Sequence, residues 1–230
     1  MQNLRHVRSF VLRAGRVTAG QERALKELWP RYGLEFHPAS LDLDAVFGRS
    51  APRCLEIGFG TGEVIAALAE AHPEVDYLGI EVHRPGVGQL LLRAAKSGLT
   101  NVRVICHDAV EVLATQVPSS SCDEILVFFP DPWHKKRHHK RRLIEPKFVR
   151  LITQILRPGG ILRLATDWQP YADQMIEVCN AEGQLVSLSQ DQGFAARPAF
   201  RPATRFERRG ERLGHGVWDL AYRRGDTVRD

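Results

Sequence analysis

The sequence predicts an α/β fold built on a doubly wound, mostly parallel sheet, with an antiparallel hairpin added at its C-terminal edge. From Arg53 onward, short apolar runs alternate with stretches of helical periodicity, and strict alternation of strand and helix implies a parallel sheet with helices on both faces. The runs are nearly continuous rather than alternating with polar residues, as strands buried on both faces should be. With 43% apolar and 26% charged residues among 230, the composition is that of a globular chain, which excludes a disordered, collagen-like or disulfide-stapled one.

Taken in order, residues 1–20 are Arg-rich with little periodicity, and Gln21 to Trp29 predicts a short helix ended before Pro30. Residues 1–50 are therefore expected to form an extension, a flexible arm plus short helices, ahead of one domain over 51–230. Strands are expected at Cys54 to Ile57, Tyr77 to Val82, Val102 to Cys106, Glu124 to Phe129 and Ile161 to Ala165. Helices are expected at Gly62 to Ala71, Pro85 to Lys96, Ala109 to Gln116, Pro146 to Leu156 and Pro170 to Ala181. The β-like runs Leu185 to Leu188 and Val217 to Tyr222 supply the edge hairpin.

Cys54, Cys106, Cys122 and Cys179 are widely spaced and form no CxxC pair, so reduced thiols are expected and no metal site is implied. No apolar run approaches the ~18 residues of a membrane span, and Arg5, Arg8, Arg13 and Arg16 interrupt the N-terminus where a signal peptide would be apolar. A cytoplasmic protein without membrane association is expected. Monomer and homodimer are equally open.

Five acids mark the ends of the expected strands: Glu56, Glu81, Asp108, Asp131 and Asp167, at spacings of 25, 27, 23 and 36 residues. Ligands of open parallel sheets bind outside the carboxyl ends of the strands, so these carboxylates would line one cleft suited to a positively charged ligand. The alternative for Asp108 and Asp167 is N-capping of the helices that follow.

Gly58-Phe59-Gly60-Thr61-Gly62 sits between the first of these strands and its helix, where a glycine turn lets a ligand approach the backbone. Glu63 stands where the dinucleotide fingerprint wants a small residue, and Glu56 would repel a pyrophosphate, so NAD is disfavoured. S-adenosylmethionine carries a sulfonium and an ammonium group and no phosphate, which suits this loop. Glu81 is then placed for the ribose hydroxyls and Asp108 for the adenine amino group.

Phe128-Phe129-Pro130-Asp131-Pro132-Trp133 follows, with two prolines restricting the backbone around Asp131 and an aromatic face at Trp133. The next eight residues, Lys135 to Arg142, hold six Lys/Arg and no acid. Those six charges exceed the whole net charge of +5, so the other 222 residues carry −1. The run lacks the interleaved acids of a salt-bridged helix, and it accounts for the long step from Asp131 to Asp167. It reads as an insertion at the cleft mouth that binds a phosphate backbone, with a merely solvated face, membrane phosphates and a nuclear-localisation signal as the other readings. A second basic stretch, Arg197 to Arg212, has six Arg and two Glu.

These motifs resemble the bacterial tRNA (guanine-N7)-methyltransferases of the TrmB type nearly end to end. The resembling residues are Arg13-Ala14-Gly15-Arg16 with Gly20-Gln21-Glu22, Leu55 to Gly62, Gly79-Ile80-Glu81, Phe129 to His138, Thr166-Asp167-Trp168, and Thr204 to Glu207 ahead of Gly214-His215-Gly216. The resemblance implies a Rossmann-like class I S-adenosylmethionine-dependent methyltransferase acting on N7 of guanine at position 46, in the tRNA variable loop. Glu56, Gly58, Gly60, Gly62, Glu81, Asp108 and Asp131 would bind the cofactor. Lys135, Asp167, Thr204, Arg205, Phe206 and Glu207 would bind the substrate. Arg137, His138, His139, Lys140, Arg141 and Arg142 would touch RNA.

Guanine N7 has a lone pair and no proton to lose, so positioning should dominate the reaction and a carboxylate should stabilise the charge the ring gains. Asp131 is the expected catalytic residue in that sense, and not a general base. Three other readings stay open on sequence grounds: a nicotinamide dehydrogenase, a noncatalytic RNA-binding module, and a methyltransferase acting on another nucleic acid, a protein or a small molecule.

Overall fold

The central strands form because their side chains are apolar on both faces, and successive residues divide between two cores. On β2 (Arg53–Ile57), Leu55 and Ile57 enter one core and Cys54 the other; on β5 (Cys122–Phe128), Ile125 and Val127 enter the first, Leu126 and Phe128 the second. The computed structural model describes residues 9–10, 17–189, 193–202 and 216–226. Arg13 to Arg16, Thr204, Arg205, Phe206, Glu207 and Gly214 to His215 lie outside them.

The order along the chain is α1 (Ala19–Glu27), α2 (Trp29–Tyr32), β1 (Gly33–Leu34), α3 (Leu43–Phe47), β2, α4 (Glu63–Ala71), β3 (Asp76–Ile80), α5 (Arg84–Lys96), β4 (Val102–Ile105), α6 (Ala109–Thr115) and β5. A 3-10 helix (Lys136–Arg141), α7 (Pro146–Ile155), β6 (Leu156–Thr166), α8 (Gln169–Asn180), β7 (Leu185–Ser187) and β8 (Trp218–Arg224) follow. The sheet runs β1-β4-β3-β2-β5-β6-β8-β7, parallel as far as β6. β8 is antiparallel to β6, and β7 to β8. The doubly wound sheet with an antiparallel C-terminal edge is the architecture the sequence predicts.

Two details add to the sequence reading. The stretch expected as an extension packs onto the domain: β1 pairs with β4, the buried Tyr32 hydroxyl donates to the Leu99 carbonyl at 3.0 Å, and α1 lies so close to α5 that a Cβ on Gly88 would fall 2.9 Å from that of Gln21. β6 also starts five residues earlier than Ile161, because Leu156 pairs with Cys122 across a register shift. Gly159, at φ +78°, takes the left-handed bend that this irregularity needs.

α4, α5 and α1 cover one face of the sheet and α6, α7 and α8 the other. On α7, Phe148, Val149, Ile152 and Ile155 recur at helical spacing and are all buried. All four cysteines are free thiols, and burial pushes Cys122 and Cys179 up to about 12, well away from reactive thiolates. Among the described residues no helix is long and apolar enough to cross a membrane, and no group of His, Cys, Asp and Glu is placed to hold a metal ion.

Candidate active site and nucleic-acid interface

Five adjacent parallel strands end on the same side of the sheet, and their order converts the five acids into a row. Read across β4, β3, β2, β5 and β6, the sequence in space is Asp108, Glu81, Glu56, Asp131, Asp167. With neighbouring strands about 4.8 Å apart, the row spans about 19 Å.

Glu56 lies inside β2, between Gly79 of β3 and Leu126 of β5, and is only 4% exposed. Its Oε2 is buried with no hydrogen-bond partner among the described residues. Burial raises its carboxyl to about 8; the Ile65 backbone N–H opposes the shift, and the neighbouring charge of Glu81 adds to it. A buried carboxylate oxygen without a partner is costly unless something cationic or hydrogen-bonding meets it.

The glycine loop turns away from β2 through left-handed residues. Gly60 has φ +57° and Gly62, which opens α4, has φ +71°. A Cβ on Gly62 would collide with Leu90 at 2.7 Å, so that glycine serves packing of α4 on α5. The Cβ sides of Gly58 and Gly60 face open space, where a ligand can lie against bare backbone. Glu81 holds the loop: its Oε2 accepts from Gly60 N–H at 2.8 Å, and its Oε1 accepts from Val82 and His83 N–H at 2.7 and 2.9 Å.

Asp108 is the N-cap of α6, its Oδ1 accepting from Val110 N–H at 2.9 Å, which realises the capping alternative and leaves its second oxygen for other use. Asp167 is not a cap. The N-cap of α8 is Trp168, without a side-chain bond. Neither Asp167 nor Asp131 accepts a hydrogen bond from a described residue.

Asp131 is exposed and stands between two non-glycine residues of positive φ, Phe129 at +53° and Trp133 at +47°. Such residues persist only where the surroundings hold them, and they cluster at functional sites. His134 meets Trp168 edge-on with ring centres 4.4 Å apart, which joins the loop of Asp131 to the one of Asp167. Trp133 is itself occupied: Arg141 lies over its ring at 5.0 Å, His138 meets it edge-on at 5.8 Å, and its indole N–H donates to the Ser9 carbonyl at 3.1 Å.

The basic run is a 3-10 helix with Lys135 at its N-cap. Lys135, Lys136, Arg137 and Lys140 are exposed, while His138, His139 and Arg141 are half-buried. Desolvation, with Arg137, Arg141, Lys135 and Lys140 around it, lowers the pKa of His138. Arg142, expected with its neighbours to touch RNA, stands apart from them in the structure. It is 4% exposed and its guanidinium donates to the carbonyls of Pro132 and Pro170 and to Gln174 Oε1, while stacking over Tyr171 at 4.7 Å. Its Nε, Nη1 and Nη2 all meet partners inside the fold.

Sequence reading also missed a cavity of about 450 Å³ beside the Asp108 end of the row, walled by Leu25, Trp29, Phe36 and His107, with Arg84 at its edge. The Phe36 and His107 rings stack at 3.8 Å. Of its signals in the sequence, only Trp29 and the adjacency of His107 to Asp108 were available.

The fold is that of the Rossmann-like class I methyltransferases. Solved structures of that architecture superpose on the chain: the 16S rRNA methyltransferase KamB at TM-score 0.59 and 18% identity, over 80% of this chain and 93% of that one. The 16S rRNA (adenine(1408)-N(1))-methyltransferase of Catenulisporales acidiphilia with cosubstrate SAM gives 0.55 at 18%, over 86% and 95%. The family model described as "Putative methyltransferase" matches residues 50–220. The chain belongs to the tRNA (guanine-N(7)-)-methyltransferase family. It is 59% identical to the protein of that name from Thiobacillus denitrificans over 95% of each chain, and 54% identical to the one from Pseudomonas aeruginosa over 97% of this chain and 91% of that one.

Proposed function

We propose that this chain methylates N7 of a guanine in tRNA, the guanine at position 46 of the variable loop, with S-adenosylmethionine as donor. The observation that carries the reading is the position of Asp131, exposed between two left-handed residues at the end of β5 and followed at once by the basic 3-10 helix. It belongs to a chain whose relatives at 54–59% identity carry that name. A cofactor with two cationic centres suits the buried, unpartnered Oε2 of Glu56 and the bare backbone at Gly58 and Gly60. When bound, S-adenosylmethionine supplies the electrophilic methyl group.

The chain's own residues then have distinct tasks. Glu56, Glu81 and Asp108 hold the donor, with Gly58 and Gly60 letting it approach the backbone and Gly62 closing α4 onto α5 behind them. Asp131 supplies negative charge beside the guanine ring as that ring becomes cationic, and it accepts from the base edge together with Asp167. Thr204, Arg205, Phe206 and Glu207 complete the substrate side, and Lys135, Lys136, Arg137 and Lys140 hold tRNA phosphates. No general base is needed, because N7 loses no proton; the acceleration comes from positioning and electrostatics.

The test is incubation of unmodified tRNA with labelled S-adenosylmethionine, followed by nucleoside analysis. Label in 7-methylguanosine at position 46 is the expected result. Label in another nucleoside, or none in RNA, contradicts the proposal.

A further inference from the structure

We infer that Arg201 is a positioning residue for the methyl-transfer loop, setting the turn at Phe129 that aims Asp131. The inference rests on the role of Asp131 given above, and it adds a residue from the opposite end of the chain to that loop.

Four observations converge on it. The Arg201 side chain is fully buried, with 0% exposure, and pairs with Asp219 of β8 at 2.9 Å. Its guanidinium lies over two consecutive rings, Phe128 at 5.1 Å and Phe129 at 5.3 Å. Phe129 is where the chain leaves β5 in a left-handed conformation, two residues before Asp131, and a bulky residue holds such a conformation only under constraint. Its backbone N–H donates to the Ala165 carbonyl at 2.8 Å, and Ala165 lies in register opposite Asp219.

The constraint is thus closed on all sides. β6 fixes the Phe129 backbone, and β8 fixes Asp219 through the pairing with β6. Asp219 fixes the guanidinium, and the guanidinium fixes the Phe129 ring. Backbone bonds alone leave that ring free to rotate. A planar cation pressed on its face does not, and Pro130 then transmits the setting to Asp131 because its own φ is fixed. A lysine in place of Arg201 would keep the charge and reach Asp219, but it has no flat face to lie on an aromatic ring.

Arg201→Lys is therefore the informative variant, read by three measurements. In single turnover with saturating tRNA and cofactor, methyl transfer is expected to slow by about ten- to a hundredfold, as for a reacting group displaced by about an ångström. S-adenosylmethionine affinity, from calorimetry, should stay within about twofold, since the guanidinium lies on Phe128 and Phe129 and pairs with Asp219 rather than with the glycine loop. Amide hydrogen exchange of the peptide spanning 128–134 should accelerate, with the rest of β5 unchanged.

A wild-type transfer rate, or a slower rate without faster exchange at 128–134, overturns the proposal. A loss of cofactor affinity matching the loss of rate overturns it too, because Arg201 would then merely support the domain. If Arg201→Lys does not fold, Arg201→Met combined with Asp219→Leu removes the guanidinium together with the carboxylate it pairs with, and the same readings decide. Asp131→Asn separates the two claims: should that variant transfer methyl at the wild-type rate, the role of Asp131 fails, while faster exchange at 128–134 in Arg201→Lys still establishes the anchor.

Discussion

The Glu81 carboxylate accepts the Gly60 N–H at 2.8 Å, so the acid that follows β3 also anchors the glycine loop that follows β2. With Val82 and His83 N–H on its other oxygen, Glu81 has used three of the roughly four lone-pair sites of a carboxylate. One site remains for a ribose hydroxyl, and a second hydroxyl must compete with Gly60. An amide at this position accepts on one oxygen only and turns donors toward backbone donors. Glu81→Gln should therefore weaken S-adenosylmethionine binding by about ten- to a hundredfold, the scale of bonds to a charged group, with tRNA affinity unchanged. Calorimetry with each ligand separately checks this, and an unchanged cofactor dissociation constant contradicts it.

Glu56 should make cofactor binding depend on pH. Burial lifts its carboxyl from 4.5 to about 8, so between those values the folded chain keeps a proton that the unfolded chain has released. The group's contribution to stability accordingly falls as pH rises through that window. A cationic ligand against Oε2 favours the ionised form, so near pH 7 binding should expel a proton. The wild-type affinity, relative to Glu56→Gln, should rise by up to about tenfold per pH unit and level off above about 8. The comparison with Glu56→Gln subtracts the ligand's own titration. Calorimetry in buffers of different ionisation enthalpy measures the proton directly, and equal heats in all buffers would show that Glu56 keeps its charge state.

The central strands were legible because burial on both faces leaves continuous apolar runs, and the five acids were legible because parallel strands end on one side. Their spatial order, which runs Asp108, Glu81, Glu56, Asp131, Asp167, was not legible, since it depends on which strands pair. β1 was invisible because two residues make no run. Arg142 looked like its basic neighbours, and only the fold brings Gln174 and the carbonyls of Pro132 and Pro170 to it. Arg201 and Asp219 are 18 residues apart, and their pairing under Phe129 has no local signature. The residues proposed to face the ligand stand out by type and position. Those that support them do not.

Asp131 carries a charge that no described residue neutralises by hydrogen bonding. If that charge stabilises the cationic ring, its removal with shape preserved should slow the chemical step alone. Asp131→Asn should reduce the single-turnover rate, at saturating cofactor and tRNA, by about tenfold or more, with the unfolding midpoint within about 2 °C of wild type. A chemical step at the wild-type rate would show that the charge does no catalytic work.

The basic 3-10 helix separates into two functions that substitution can resolve. Lys135, Lys136, Arg137 and Lys140 are exposed, so changing them to Gln should leave stability and cofactor affinity in place. Each cation removed from a phosphate should flatten the plot of log affinity for tRNA against log salt by roughly 0.7–0.9. Arg142→Ala should do the opposite. It strands the carbonyls of Pro132 and Pro170 and the side chain of Gln174, a cost of about 2–4 kcal/mol, or roughly 5–15 °C in unfolding midpoint for a chain of this size. Below that midpoint its salt slope should match wild type, because a guanidinium bound to carbonyls releases no counterions when tRNA arrives. A shallower slope in Arg142→Ala at unchanged stability would mean that the side chain swings out to meet RNA.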